Sequence, residues 1–569
     1  MTILKDKYVW ILLIISLSVR IYLSFFTYVI RNDSVAFMQN AKFFAGGDFL
    51  SGLRHDYHPL YSFLMAVMYK VIPDMEISGT IVSVLFGTLT VIVFYLIGKS
   101  VFDRKISFVS SVILALHPYA VRFSVDIISE STYFFFFISA FGLGYFALAK
   151  RRYYLFALTG ICSALAYLVR PEGIGIILIV AGWCILKDLA RFKIVWKEKI
   201  ASILIIIVSF FVFSLPYLVY IKNERGAWSL TKKKDLSKIV GVDAVLSSGK
   251  SKNIKRKRVK KETSDKLTKK RDTTHAVGTG ANLNSQGSNE LPEEGIDKKK
   301  TSGGNVVKQE TTGHSDLKIH LNGILHVMKR YITTFHPLLF VFLITGVISW
   351  TRIRMSHFLG LYMSTAIAFY LFILYRMCMD SVSMSGVYGY PSRRHLMPLV
   401  IPAIFCVGIG VYAAGSWIHE RFKLNRLRDG VMRRLKNVWV VQLVVLIIII
   451  SVLLPKTLRS QRYDKLGIKK VGQWVMEHTN KQSPAILSIS ARNAYYAGGE
   501  HVHMYGINDA FAVPQAIKVD YMIITQRDYE VIEKELLQYV NDNKIALAYK
   551  FPEGNTLNKR SVLLYKVLH

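Results

Sequence analysis

Long apolar runs separated by basic loops limit this chain more than any other feature. About 18 consecutive apolar residues cross a bilayer as one helix. Such runs lie near 8–30, 77–98, 106–124, 127–149, 153–170, 173–187, 200–221, 333–351, 356–376, 394–417 and 438–455. With 52% hydrophobic and 13% aromatic residues in 569, the chain is too apolar for one soluble domain. The expected class is a mainly α-helical polytopic membrane protein with about eleven transmembrane helices.

Residues 59–72 form a further apolar run, but it is short and contains Lys70. A run of about 10–14 apolar residues suits a surface or re-entrant helix better than a span. Charge arbitrates. With this run on the surface and the N-terminus inside, the loops KSVFDRK, KRR, KDLARFKIVWKEK, RIR and HERFKLNRLRDGVMRRLKN all face the cytoplasm. That is the direction of the positive-inside bias. Lys5 and Lys7 precede the first span, which lacks a small-residue cleavage site and reads as retained. The predicted protein is multi-pass in the inner (cytoplasmic) membrane, N-terminus in, C-terminus on the periplasmic, outer face.

A net charge of +35 would suggest nucleic acid as partner in a soluble protein. Here Lys and Arg gathered in loops against anionic lipid account for it, and no nucleic acid is expected. The cysteines, Cys162, Cys184, Cys378 and Cys406, form no CxxC pair, so neither a disulfide framework nor a zinc site is indicated.

The predicted domains are a transmembrane domain over 1–455 and a small extramembrane α/β domain over 456–569. The first carries an outer loop, 31–76, with surface helices. It also carries a lysine-rich insertion at about 231–320 that has no aromatic residue between Thr231 and His320. Such a segment cannot bury enough apolar surface to fold alone. It reads as a disordered solvated loop or as a polycation gripping anionic lipid or polysaccharide. In the tail, DKLGIKKVGQWVMEHT and YEVIEKELLQYVNDN fit amphipathic helices, and AILSIS, YMIIT, IALAYKF and SVLLYKV fit strands.

The predicted outer face collects ionisable groups. Asp33, Asp56, Asp126 and Glu130 supply carboxylates; His55, His58, Arg122, Arg170, Arg393, Arg394 and His395 supply cations. Ionisable groups at a membrane edge cost desolvation energy unless paired or hydrated, so they point to function. A carboxylate can take a proton from a hydroxyl nucleophile. Clustered Arg and His can hold a phosphate through charge-assisted hydrogen bonds. Together they suit displacement of a lipid phosphate by an acceptor hydroxyl. Structural roles compete for each residue. Arg170 can pair with Glu172, Arg393 and Arg394 can anchor to headgroups, and His58 can cap the surface helix. Asp126 and Glu130 can cap the fourth span, and Asp33 can cap a helix starting at Ser34.

The order of short motifs resembles the GT-C glycosyltransferases. NDSVAF followed by a GGD turn is similar to their large first outer loop, and YHPLYSFLMAVMYKV to its surface helix. DIISESTYFFFF, LVRPEG and YPSRRHLMPLVIP resemble landmarks of the protein O-mannosyltransferase-like and lipid A aminoarabinose transferase-like branch. WVMEHTNKQSPAILSISARNAYYAGG resembles the start of the soluble domain ending many such chains. The resemblance implies a transferase using a sugar linked to polyprenyl phosphate, with a glycan, lipid or protein as acceptor. It places the catalytic or acceptor-orienting carboxylate at Asp33, and donor phosphate contacts at His58 and Arg170, with Arg393 and Arg394 as further candidates. The second-loop carboxylate maps to Asp126 or Glu130. Two departures stand out: Ser34 follows Asp33 where protein mannosyltransferases carry an Asp-Glu pair, and His58 replaces the aminoarabinose transferases' Lys before proline.

The mechanism expected is one displacement with inversion, Asp33 taking the acceptor proton. Asp33 and Glu130 can also share Mg²⁺ or Mn²⁺ with the phosphate, although no spacing demands a metal. Asp56 is held as a secondary acidic candidate. The rival readings are a lipid or glycan flippase and a polysaccharide ligase on the same scaffold.

Overall fold

The computed structural model describes residues 5–186, 196–232, 313–350, 356–424, 435–504, 518–554, 558 and 560–568. The chain falls into two compact units. One comprises 1–220, 331–369 and 393–569; the other comprises 221–330 and 370–392. Most of the lysine-rich insertion lies outside the described residues, and the chain is already helical from Gly313.

All of the predicted spans contain helix. They are α1 (Lys7–Phe25), α5 (Met75–Val101), α6 (Arg104–Ala115), α8 (Glu130–Lys150), α9 (Tyr153–Val169) and α10 (Gly175–Leu186). They continue with α11 (Trp196–Arg225), α12 (Gly313–Phe335), α13 (Pro337–Ser349), α14 (His357–Ser385), α15 (Arg393–Arg421) and α16 (Val438–Leu458). Among the described residues, seven of these are long and apolar enough to cross a membrane, or eight if α12 and α13 form one broken span. The remaining predicted spans, 106–124, 153–170 and 173–187, are built from shorter helices. Between α1 and α5 lie α2 (Asn32–Ala45), α3 (Phe49–Leu53) and the short apolar helix α4 (Leu60–Tyr69).

The run 106–124 does not form one helix. It breaks after Ala115 and restarts as α7 (Pro118–Phe123), with His117 as N-cap and Pro118 in the first turn. Proline lacks an N–H and disfavours helix in the residue before it, which suffices for the break. The freed carbonyls find donors. Arg20, buried within α1, reaches the Ala115 carbonyl at 3.3 Å, and Thr457 reaches that of Leu116 at 2.8 Å. Arg20 also donates to Ser124 (2.8 Å) and Ser16 (2.7 Å), so Nε and Nη1 of an arginine inside an apolar span both find acceptors.

Small residues set the closest helix crossing. A Cβ at Gly346 of α13 would stand 1.8 Å from the Cys406 carbonyl oxygen of α15, and one at Gly410 1.9 Å from that of Phe342. Without a side chain at either position the two backbones meet directly. This makes α15 the buried centre of the first unit, and its N-terminal residues open into the site described below.

The tail continues the first unit. It runs α17 (Leu466–His478), β1 (Ala485–Ser488), α18 (Ala491–Tyr496), β2 (Glu500–His503), β3 (Tyr521–Thr525), α19 (Gln526–Asn541), β4 (Ile545–Phe551) and β5 (Val562–Val567). The sheet order is β2-β1-β3-β5-β4, parallel across β2, β1 and β3 and antiparallel across β3, β5 and β4. Leu487, Met522, Ile524, Leu536 and Leu563 centre its core. Both helices and all four strands predicted here are present; β2 and α18 are additional.

In the second unit, the His320 ring bonds the Tyr375 hydroxyl at 2.7 Å and Tyr388 donates to the Ile319 carbonyl at 3.1 Å.

Candidate functional site

Each end of the α1–α5–α6 cluster carries buried charge. At one end, Asp6 caps α1 through the Tyr8 amide and binds Lys99 (2.7 Å), Tyr95 (2.9 Å) and Arg104. Burial opposes its ionisation, but Lys99 and Arg104 hold the carboxyl well below the usual range. The opposite end gathers the residues singled out from the sequence.

There α2 begins at Asn32 with Arg31 as N-cap, two residues earlier than the predicted start at Ser34. Asp33 therefore sits in the first turn instead of capping, and accepts a bond from Arg394 at 2.6 Å. The Tyr57 hydroxyl donates to the same carboxylate. Burial, and after it the charge of Asp33, push this phenol above its usual range, so it stays protonated as a donor. Arg394 lies at the N-terminus of α15, where the helix dipole disfavours a cation. The carboxylates of Asp33 and, at 3.8 Å, Glu130 offset that cost.

Glu130 opens α8, where a carboxylate suits the dipole, and faces Arg170 at 2.8 Å. Arg170 follows the last turn of α9 and also holds Glu172 at 3.1 Å. Burial tends to raise the Glu172 carboxyl, yet Arg170 foremost, with His395 adding to it, lowers it to about 2. The predicted Arg170–Glu172 pair is thus present, and the same guanidinium also meets Glu130.

Asp126 does not cap α8. It lies in the loop ahead of that helix, buried between Arg31 (2.5 Å) and Arg462. Burial would raise its carboxyl, and these guanidiniums hold it below the ordinary value. Arg31 also feels Glu130 and Arg394, so the groups around Asp126 and Asp33 form one electrostatic cluster.

The other candidates lie nearby in different settings. His58 is buried edge-on against Tyr167 and Tyr217, with ring centroids 5.0 and 5.1 Å away. His55 stacks on Tyr57 at 5.0 Å. Asp56 is half-buried between them and joins none of the ion pairs found among the described residues. Arg393, next to Arg394, turns to the Tyr119 ring of α7 at 4.8 Å, where Lys456 also packs.

Among the described residues no three His, Cys, Asp or Glu are grouped to hold a metal ion. The two carboxylates singled out for Mg²⁺ or Mn²⁺, Asp33 and Glu130, face a shared guanidinium instead.

Sequence reasoning missed Arg31, Tyr57 and Arg462 as members of the cluster. Arg31 and Tyr57 each adjoin a predicted residue by one or two positions. Arg462 is one of several cations after the last span and carries no local signal. An open groove beyond the other end of α2, lined by Lys42, Glu76, Lys469 and Tyr495, includes none of the predicted site residues.

The architecture superposes along almost its whole length on the crystal structure of ArnT from Cupriavidus metallidurans bound to undecaprenyl phosphate. Identity is 11%, coverage 99% of this chain and 98% of that one, and the TM-score 0.53. The fold is GT-C. Within this GT-C chain, residues 56–220 match the family model for dolichyl-phosphate-mannose-protein mannosyltransferase. The matched stretch runs from Asp56 through α11 and includes His58, Asp126, Glu130 and Arg170. An archaeal oligosaccharyltransferase, AglB from Archaeoglobus fulgidus, in complex with an inhibitory peptide and a dolichol-phosphate, gives 11% identity over 91% of this chain and 69% of that one, with a TM-score of 0.48. No curated protein matches the chain in sequence. The resemblance read from NDSVAF, YHPLYSF, LVRPEG and YPSRRHL holds at the level of fold: the chain has the GT-C architecture, with the family match confined to 56–220.

Proposed function

We propose that this chain is a membrane glycosyltransferase that moves a sugar from a polyprenyl-phosphate donor to an acceptor hydroxyl at the outer face. The observation that carries the reading is the shared guanidinium of Arg394, which contacts Asp33 and faces Glu130 while remaining 29% exposed. Asp33 is itself reachable, at 17% exposure. A base and a phosphate-binding cation thus stand side by side at one opening.

Asp33 takes the proton of the acceptor hydroxyl as its oxygen attacks the anomeric carbon. The bond from that carbon to the phosphate oxygen breaks, and polyprenyl phosphate leaves with the electron pair. One displacement inverts the anomeric centre. Arg394 and Arg170 stabilise charge growing on the departing phosphate, where preorganised cations have their largest effect. A donor phosphate also competes with Asp33 for Arg394. Drawing the guanidinium away frees the carboxylate to accept a proton once the donor is in place. Tyr57 keeps Asp33 oriented during that exchange.

The protein mannosyltransferase match and the undecaprenyl phosphate bound by ArnT support this donor class. The periplasmic orientation rests on the positive-inside bias together with the gathering of Asp33, Asp126, Glu130, Arg170 and Arg394 at one end of the helices.

Native mass spectrometry of gently purified protein tests the donor. Polyprenyl phosphate or its glycosyl form is expected on the wild type and lost from Arg170→Ala/Arg394→Ala. Only bulk phospholipid on both proteins, with no covalent product in a transfer assay, would turn the reading to a flippase.

A further inference from the structure

The segment 26–32 joins α1 to α2 and ends one residue before Asp33. Val29 and Ile30 within it are buried, so its backbone groups need partners inside the protein. Those partners come from the tail, more than 400 residues away in sequence. Gln461 donates its amide to the Phe26 carbonyl at 2.9 Å, and its own carbonyl accepts from the Tyr28 amide at 3.2 Å. Arg462 donates to the Val29 carbonyl at 2.5 Å. The Tyr496 hydroxyl accepts from the Ile30 amide at 2.9 Å, and Arg492 donates to the Ile30 carbonyl at 3.4 Å. Ser490 closes the series with a 2.8 Å bond to the Asn32 side chain.

We infer that the tail is a positioning element for Asp33: residues Gln461, Arg462, Ser490 and Tyr496 hold the backbone of 26–32 and so fix where the first turn of α2 presents its carboxylate. The inference rests on the proposed role of Asp33. Arg462 adds a second hold, because it pairs with the Asp126 that also grips Arg31, the residue capping α2. The sheet region is therefore bonded to the entry of the helix that carries the base, and each of these residues is a positioning residue that touches no reacting atom. Displacement of a reacting group by about 1 Å is enough to cost on the order of a hundredfold in rate.

Tyr496→Phe removes one acceptor oxygen and keeps the ring; Ser490→Ala removes one donor. The double variant of the full chain is to be studied in detergent by hydrogen–deuterium exchange and by hydrolysis of undecaprenyl-phosphate-linked mannose, with water as the acceptor and free mannose and undecaprenyl phosphate as products, beside Asp33→Asn. The amides of residues 28–36 should exchange about tenfold faster while those of α15 keep their protection. Turnover per folded molecule should fall about tenfold with the donor KM unchanged, and the retained protection of α15 separates this from general loosening of the fold. Unchanged exchange over 28–36 would overturn the inference without any assay of turnover. Faster exchange with wild-type turnover, in a background where Asp33→Asn is dead, would also overturn it. Full turnover by Asp33→Asn would instead remove the reading of Asp33 itself, and the positioning role with it.

Discussion

Two carboxylates at opposite ends of the same helices differ in what a ligand can reach. Asp6 is sealed at 2% exposure, and its partners belong to α1, the end of α5 and the start of α6. Every bond it makes joins neighbouring helix ends. Asp33 is held just as firmly by Arg394, but both partners are reachable, and Arg394 has a second carboxylate in front of it. In one arrangement the cations are open but the carboxylate is out of reach of any ligand. The other can pass a guanidinium from protein carboxylate to ligand phosphate without leaving a charge stranded.

That difference is sharpest in Asp33→Asn beside Asp6→Asn. The first should lower transfer on the order of a hundred- to ten-thousandfold with melting temperature and bound lipid retained. The second should lower the melting temperature and leave turnover per folded molecule at the wild-type level. The contrast would collapse if Asp6→Asn matched Asp33→Asn in lost turnover at unchanged stability.

Arg394→Ala follows in size. Loss of about a hundredfold in turnover is expected, the scale seen when one preorganised charge-stabilising group is removed. Arg393→Ala, one residue earlier but turned towards Tyr119, should cost far less. Equal losses in a side-by-side turnover assay would mean that the two arginines act as one patch.

The smallest effect expected is on acid stability. Glu172 titrates at about 2 in the folded protein, below the usual carboxylate value of about 4.3. A depressed folded value adds stability that is complete above the unfolded value and is lost as pH falls towards the folded one. The melting temperature should therefore drop between about pH 5 and pH 2, and Glu172→Gln should flatten part of that slope. Arg170, the foremost group lowering Glu172, keeps its charge throughout that window. An identical slope in the variant would place the acid-sensitive group elsewhere, with Asp126 next in line.

Much of this architecture was legible along the chain because apolar length and loop charge are local properties. Helices occupy every predicted span, and α4 lies where a short run with Lys70 was expected. The break at Leu116 and His117 was not read, because the apolar run over 106–124 hid the HPY within it. Hydropathy averages over a window, whereas Pro118 acts at a single N–H. The start of α2 shifted for a comparable reason. Asp is a good cap in isolation, but Arg31 took the position, tied by Asp126.

For the site, residue chemistry picked out Asp33, Asp126, Glu130, Arg170 and Arg394, and all of them meet in one cluster. It did not tell Arg394 from Arg393. Adjacent helical residues point about 100° apart, and only the packing of α15 decides which one meets Asp33. His58 read as a phosphate ligand from its place before proline; its enclosure by Tyr167 and Tyr217 depends on α9 and α11.

By itself the sequence determined the membrane class, the helical runs, the tail's main strands and the stock of charges available at one face. Each follows from composition over a few turns, where hydrophobic transfer and backbone geometry act locally. Tertiary structure alone decided the pairings: Asp33 with Arg394 across 361 positions, and Asp126 with Arg462 across 336. Coulomb attraction depends on distance in space, and no local pattern encodes which of 73 Lys and Arg residues arrives there.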